Sequence, residues 1–312
     1  MSDIVSVRPR RLRPSTSQPA RSIPPTRDYR TTFEGIPRMP ALFGRQPGPR
    51  QRPDSDSGHP QGLGSTLATW VAARADFDAL AALMPRGFSL DDPLLIVECV
   101  TLTGLPWLAG RGYEMVIVSV PATFTPPNGA VQHGRLALVV FEDCPDAITS
   151  GREELGWNKV YADSMMRTVR GNEIDYSCSW QGTTFLNVEV KLERTVPSIG
   201  SWRRGPLMHY RVLPRTGEWG QLEIEQVTGS SKTASITATR SLRSGNGHFR
   251  FIPASFHQLP TLMHIVNTLS EVPLGDVVDA GQARLAGWND LRETEILGSF
   301  HCGLPRVAVT DV

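Results

Sequence analysis

The chain predicts a mainly β (α+β) fold in one domain, on three observations: many strand-length runs rich in Val, Ile, Leu and Thr, few segments of helical composition, and no regular alternation of the two. Strand runs cover residues 66–73, 93–103, 113–124 and 135–142. Residues 184–193 carry the clearest period-2 pattern. Leu186, Val188, Val190 and Leu192 face one way, and Asn187, Glu189, Lys191 and Glu193 the other, as in a half-buried strand. Further strands are expected over 208–213, 221–227, 233–239 and 249–252. Helices are short: Asp76 caps one through Leu83 that Pro85 ends, and residues 147–155 and 259–269 supply two more. The whole reads as an antiparallel β-rich domain with a few short helices and no internal repeat.

Upstream of this domain, residues 1–35 read as a disordered, basic, Pro-rich tail. Residues 36–64 read as an extended Pro/Gly-rich segment whose Met39, Leu42 and Phe43 should lie against the body. The domain itself is expected over 65–312.

Composition excludes several functional classes. The 312 residues carry a formal net charge of +1, so neither a nucleic acid nor an anionic membrane is expected as a partner. No run reaches the roughly 18 apolar residues of a membrane span; the best, residues 94–109, is broken by Glu98 and Pro106. The N-terminus shows no apolar core of a secretory signal, and cytoplasm is the expected location. Cys99, Cys144, Cys178 and Cys302 are far apart and form no CxxC pair, which reads as reduced, buried thiols rather than a zinc site. The seven histidines show no HExxH spacing, and no metal is expected.

Amine chemistry has only three internal candidates, because Lys159, Lys191 and Lys232 are the only lysines. Lys191 belongs to the polar face of its strand, and Lys232 sits in a turn-like GSSKT. Lys159 lies in GREELGWNKVYAD, flanked by Trp157, Val160 and Tyr161. An apolar setting removes solvent from the ammonium and lowers its pKa. That matters because only the neutral amine attacks a carbonyl, and roughly one lysine in a few thousand is neutral at pH 7. The competing reading is a surface lysine beside a snorkelling aromatic.

Four segments extend this pattern: RADFDALAALMPRGFSLDDPLLIVE, ending at Glu98; Tyr113-Glu114 followed by MVIVSVPATF; DAITSGREELGWNKVYAD around Lys159; and FRFIPASFHQLPTLMHIV from Phe249. In order and spacing they resemble the acetoacetate decarboxylase family. The resemblance implies an antiparallel β-barrel or cone, a homo-oligomer, a small keto acid as substrate and no cofactor. It implies Lys159 as the Schiff-base nucleophile, Glu98 and Glu114 as the pocket carboxylates, and Tyr113, Arg152, Trp157 and Asn158 as substrate-binding residues. Arg152 reads equally as half of a structural ion pair, and Glu98 as a carboxylate satisfied by an arginine, since a buried carboxylate must be paired or protonated.

The chain departs from the family pattern in three places. The second of two adjacent lysines, whose charge helps activate the first, is here Val160. Asn158 stands where decarboxylases carry proline. The N-terminal arginine that holds the substrate carboxylate has only Arg45, Arg50 and Arg52 as candidates. These departures resemble relatives that keep the Schiff base for aldol, dehydration or cyclisation chemistry. The resemblance thus implies a β-keto acid decarboxylase, with a Schiff-base aldolase, dehydratase or cyclase as one alternative. A non-catalytic β-barrel binding a small apolar ligand is another.

Overall fold

The computed structural model describes residue 39 and residues 65–197, 205–218, 220–229, 236–287 and 294–300. The chain divides into two units, Met1–Pro47 and Gly48–Val312. In the first, only Met39 is described, and it is exposed rather than packed as expected. Leu42, Phe43, Lys232, Cys302 and the candidate arginines lie outside the described residues.

The second unit is built on one sheet of 14 strands. The first strand, β1 (Ser65–Ala75), leads into α1 (Phe77–Ala81), whose N-terminus is capped by the Asp76 carboxylate accepting from the Ala79 amide. The short β2 (Phe88–Leu90) precedes the long central strands β3 (Leu94–Leu105), β4 (Arg111–Phe124) and β5 (Gln132–Glu142). Next come α2 (Pro145–Ser150), a wider π-helical turn at Gly151–Leu155, and β6 (Lys159–Tyr161). A meander of β7 (Ser164–Arg170), β8 (Glu173–Trp180) and β9 (Thr183–Thr195) follows, then β10 (Leu207–Pro214), β11 (Leu222–Gly229) and β12 (Ile236–Phe251). The chain continues through α3 (Met263–Glu271), β13 (Leu274–Gly287) and β14 (Glu295–Ser299).

The spatial order is β14-β11-β10-β5-β4-β3-β1-β13-β12-β9-β8-β7, with β2 on β4 and β6 on β5. Among the described residues β14 pairs only with β11 and β7 only with β8, so the sheet is not closed into the expected barrel. Nor is the sheet wholly antiparallel, because β10 and β6 both pair with β5 in parallel. The largest of its buried clusters lies against one face of the sheet. Val97, Val116, Val118 and Phe141 from the central strands meet Tyr176, Cys178, Phe185 and Val188 from the β8–β9 meander, and Val266 and Leu269 of α3 join them.

The alternation over residues 184–193 holds, with Leu186, Val188, Val190 and Leu192 buried. Strands β2, β6, β7, β8, β13 and β14 were not anticipated. Strand β8 has period-2 burial at Ile174, Tyr176 and Cys178, but short polar residues between them mask it. Strand β13 pairs along β1 through small residues such as Ala280, Gly281 and Ala283, whose composition carries little strand signal. No helix among the described residues is long and apolar enough to cross a membrane.

Candidate active site

Strand β5 organises the site because its outer edge is shared. Its first half pairs with β10 (Leu207 with Arg135, Met208 with Leu136) and its second half with β6 (Val140 with Lys159, Glu142 with Tyr161). A bulge at Leu138 separates the halves: Val118 pairs with Val139 but Ser119 with Ala137. Asn158 occupies this irregularity, its Nδ2 donating to the carbonyls of Ala137 (2.7 Å) and Leu138 (2.8 Å). Its Oδ1 accepts from Nδ1–H of His209 at 2.7 Å. Both amide protons are thereby engaged, and Asn158 docks the Lys159 strand on β5.

The turn before Lys159 is shaped by two glycines. Gly156 closes the π turn with φ +70°, a left-handed conformation that glycine adopts without strain. A Cβ on Gly151 would stand 2.6 Å from Lys159 Cδ and 3.0 Å from Nζ, so only glycine leaves room for the lysine. Arg152 donates to the Lys159 carbonyl at 2.9 Å, fixing the backbone of the lysine, and makes no ion pair among the described residues. Irregular π turns of this kind recur at functional sites.

Lys159 is 4% exposed, in keeping with the apolar setting read from its neighbours. Its Nζ lies 2.6 Å from Glu142 Oε2 and donates to the Ala147 carbonyl at 3.0 Å. The ring centroids of Trp157 and Tyr113 stand 5.2 and 5.9 Å away. Glu142 is wholly buried, and burial pushes its carboxyl up to about 7 even though the adjacent lysine opposes the rise. Burial, with Glu142 adding to it, also pushes the Tyr113 phenol up. Trp157 stacks on His209 with centroids 4.5 Å apart. Burial foremost, then the charges of Lys159 and Arg135, lower His209 to about 3, so its ring is neutral.

The expected carboxylates separate onto two faces. Side chains alternate along a strand, and one step in register moves a side chain to the other face. Glu98 pairs with Ile117, which packs with Val140, the partner of Lys159, so Glu98 lies on the lysine's face. There it meets Arg135 Nη1 at 3.0 Å, both groups buried, which is the arginine-satisfied arrangement. Glu114 lies on the opposite face, where it accepts from Thr101 Oγ1 at 3.1 Å beside Cys99. Burial raises its carboxyl there. The β4 residue on the lysine's side is Met115, directly opposite Glu142.

The lysine's face therefore gathers Lys159, Tyr113, Trp157, Asn158 and Glu98, and leaves out Glu114. Sequence reasoning missed Glu142, Arg135 and His209. All three lie at alternate positions of anticipated strands, but which face each strand would turn to Lys159 depends on the β5 bulge. A depression lined by Leu138, Val139, Ile265 and Leu269 lies by the main core and contains none of these groups. Lys191 is exposed beside Glu173 at 3.7 Å, and Lys232 lies outside the described residues. Among the cysteines, Cys99 and Cys178 are buried thiols while Cys144 is only half-buried.

A buried amine in contact with a carboxylate, walled by aromatic rings on a large β-sheet, defines an enzyme-like site. The family model for acetoacetate decarboxylase (ADC) matches residues 47–283, and the chain belongs to that family. No curated protein sequence matches it. Among solved structures it resembles acetoacetate decarboxylase from Legionella pneumophila subsp. pneumophila str. Philadelphia 1. That match has 16% identity and a TM-score of 0.60, covering 82% of this chain and 93% of that one. It also resembles an acetoacetate decarboxylase-like enzyme from Sphingomonas wittichii RW1, at 15% identity and TM-score 0.56 over 77% and 92% of the two chains. A third is the enduracididine biosynthesis enzyme MppR, solved with the condensation product of pyruvate and imidazole 4-carboxaldehyde (15% identity, TM-score 0.53, 76% and 87% covered). At these identities the likeness establishes the fold.

Proposed function

We propose that this protein is a Schiff-base enzyme acting on a keto acid, with Lys159 as nucleophile and Glu142 as its proton partner. The observation that carries the reading is the 2.6 Å contact between Nζ and a carboxylate held near pH 7. A lysine nucleophile needs a group that takes its proton at the working pH, and Glu142 is that group.

The steps balance as follows. Glu142 takes a proton from Nζ, and the amine attacks the ketone carbon to give a carbinolamine. Glu142 returns the proton to the departing hydroxyl, water leaves, and an iminium remains. In a β-keto acid the bond to the carboxylate then breaks. Its electron pair flows to the iminium nitrogen, CO2 departs and an enamine forms. Glu142, reprotonated from solvent, protonates the enamine carbon, and hydrolysis frees the ketone and the lysine.

One observation favours a second reading of the same site. A carboxylate touching the reacting nitrogen repels a substrate carboxylate but is well placed to remove a proton α to the iminium. The enamine so formed attacks an aldehyde, as in an aldolase or dehydratase. The condensation product bound by MppR supports this branch at the level of the family. Measuring CO2 release against aldehyde consumption separates the two.

The shared step is tested by incubating the protein with a panel of β- and α-keto acids, reducing with borohydride and mapping the mass adduct. The adduct should fall on Lys159, and Lys159→Arg should abolish both adduct and turnover while leaving the fold intact. Absence of an adduct across the panel would favour a non-catalytic binding role instead.

A further inference from the structure

We propose that Trp157 and His209 form a hydroxyl-binding subsite beside Lys159, so that the protein selects keto acids carrying a hydroxyl near the carbonyl. The inference rests on the Schiff-base reading for the position of the substrate, and it deepens that reading by naming a feature of the substrate.

Both rings are buried, His209 fully and Trp157 at 7% exposure. Each holds one polar atom with no partner: the Nε1–H of Trp157, a donor, and the Nε2 of His209. The protonation of His209 follows from its surroundings. Asn158 spends both amide protons on the Ala137 and Leu138 carbonyls, so its oxygen can only accept, and Nδ1 must carry the ring proton. With the ring neutral, Nε2 is a bare acceptor. A buried donor or acceptor left unsatisfied costs about 1–3 kcal/mol, so two on adjoining rings mark a place built for a polar group.

The chemistry of the pair narrows the class. The missing group must accept from an N–H and donate to an sp² nitrogen. A hydroxyl does both, whereas a carboxylate or a ketone oxygen only accepts. The two rings stack with centroids 4.5 Å apart, so both atoms belong to one aromatic layer, and we assign them a common hydroxyl. Nζ of Lys159 lies 5.2 Å from the Trp157 ring centroid, so the subsite adjoins the amine, and the proposed hydroxyl is one near the carbonyl. His209 is depressed too far to act as a base at neutral pH, so its part is recognition and orientation, not proton transfer.

Pyruvate and 3-hydroxypyruvate, which differ by one hydroxyl, serve as probes, and the readout is the half-saturating concentration for borohydride trapping at Lys159. In the unaltered protein 3-hydroxypyruvate should trap at about tenfold lower concentration. His209→Asn keeps an N–H toward Asn158 but removes the acceptor at Nε2, and should bring the ratio of the two half-saturating concentrations to about one. His209→Gln places an oxygen near the Nε2 position and should restore much of the preference. Trp157→Phe, which keeps the stacked ring and loses the N–H, gives the same readout if the histidine variants do not fold. Trapping of both acids with the same ratio in the unaltered and variant proteins would overturn the subsite and leave the Schiff base standing. No adduct from either acid would overturn the subsite, and no adduct across the β- and α-keto acid panel as well would overturn the Schiff-base reading with it.

Discussion

Lys159 owes its setting to the turn that precedes it and to the strand on which it docks. Gly151 is the sharpest case, because a methyl group there overlaps three atoms of the lysine side chain. Gly151 has an ordinary helical backbone, φ −63°, so alanine brings no backbone strain. Gly151→Ala should therefore leave the melting temperature within a few degrees while displacing Nζ. A displacement near 1 Å can cost about a hundredfold in rate, and the borohydride trapping rate should fall by about that much. An unchanged rate would mean that the lysine acts from another position. The apolar setting of Lys159 was legible in Trp157 and Val160. Its carboxylate partner was not, because Glu142 reads as the polar end of an apolar strand, and only the pairing of β6 on β5 shows that it faces the lysine.

At the scale of the element, β3, β4, β5 and β6 turn one face to the lysine, and that face carries two buried ion pairs, Glu142–Lys159 and Glu98–Arg135. The apolar run around Glu98 signalled a paired or protonated carboxylate, and the structure supplies Arg135. The placement of Glu114 did not follow from its neighbours, because adjacent residues of a strand face opposite ways and the register sets which of Glu114 and Met115 points at Lys159. Glu98 and Arg135 have either a structural or a substrate-binding role, and a pair of variants separates them. Glu98→Gln alone removes one charge of a buried pair and should cost about 3 kcal/mol. That cost should appear as a lower denaturant midpoint at unchanged slope. Replacing both by apolar residues of similar volume should recover most of that stability. If keto acid trapping at Lys159 recovers with it, the pair is structural. If stability returns and trapping does not, Arg135 or Glu98 meets the substrate.

For the molecule as a whole, the β-rich composition and the alternation of β9 were readable because they depend on local patterning. The open, partly parallel sheet was not, because closure and direction depend on which distant strands meet, as when β10 and β6 share the edge of β5. Burying charge-bearing groups on such a sheet makes stability depend on pH, and two of them act in opposite senses. Glu142 rises from 4.5 to about 7 in the fold, so its contribution is complete below about pH 4.5 and is lost as pH rises through about 7. His209 falls from 6.5 to about 3, so its contribution is complete above about pH 6.5 and is lost as pH falls through about 3. Each contributes a slope of about 1.4 kcal/mol per pH unit where only the folded or only the unfolded form is protonated. Between about pH 4.5 and 6.5 the two slopes cancel. Glu114 and Asp143, both raised by burial, add to the slope from Glu142 in every variant alike. Unfolding free energies measured from pH 4 to 7.5 should therefore show Glu142→Gln gaining stability with rising pH relative to the unaltered protein. His209→Gln should lose it over the same interval. Parallel curves for all three proteins would mean that neither group is buried in the state that unfolds, and the candidate site would have to be redrawn around a solvated lysine.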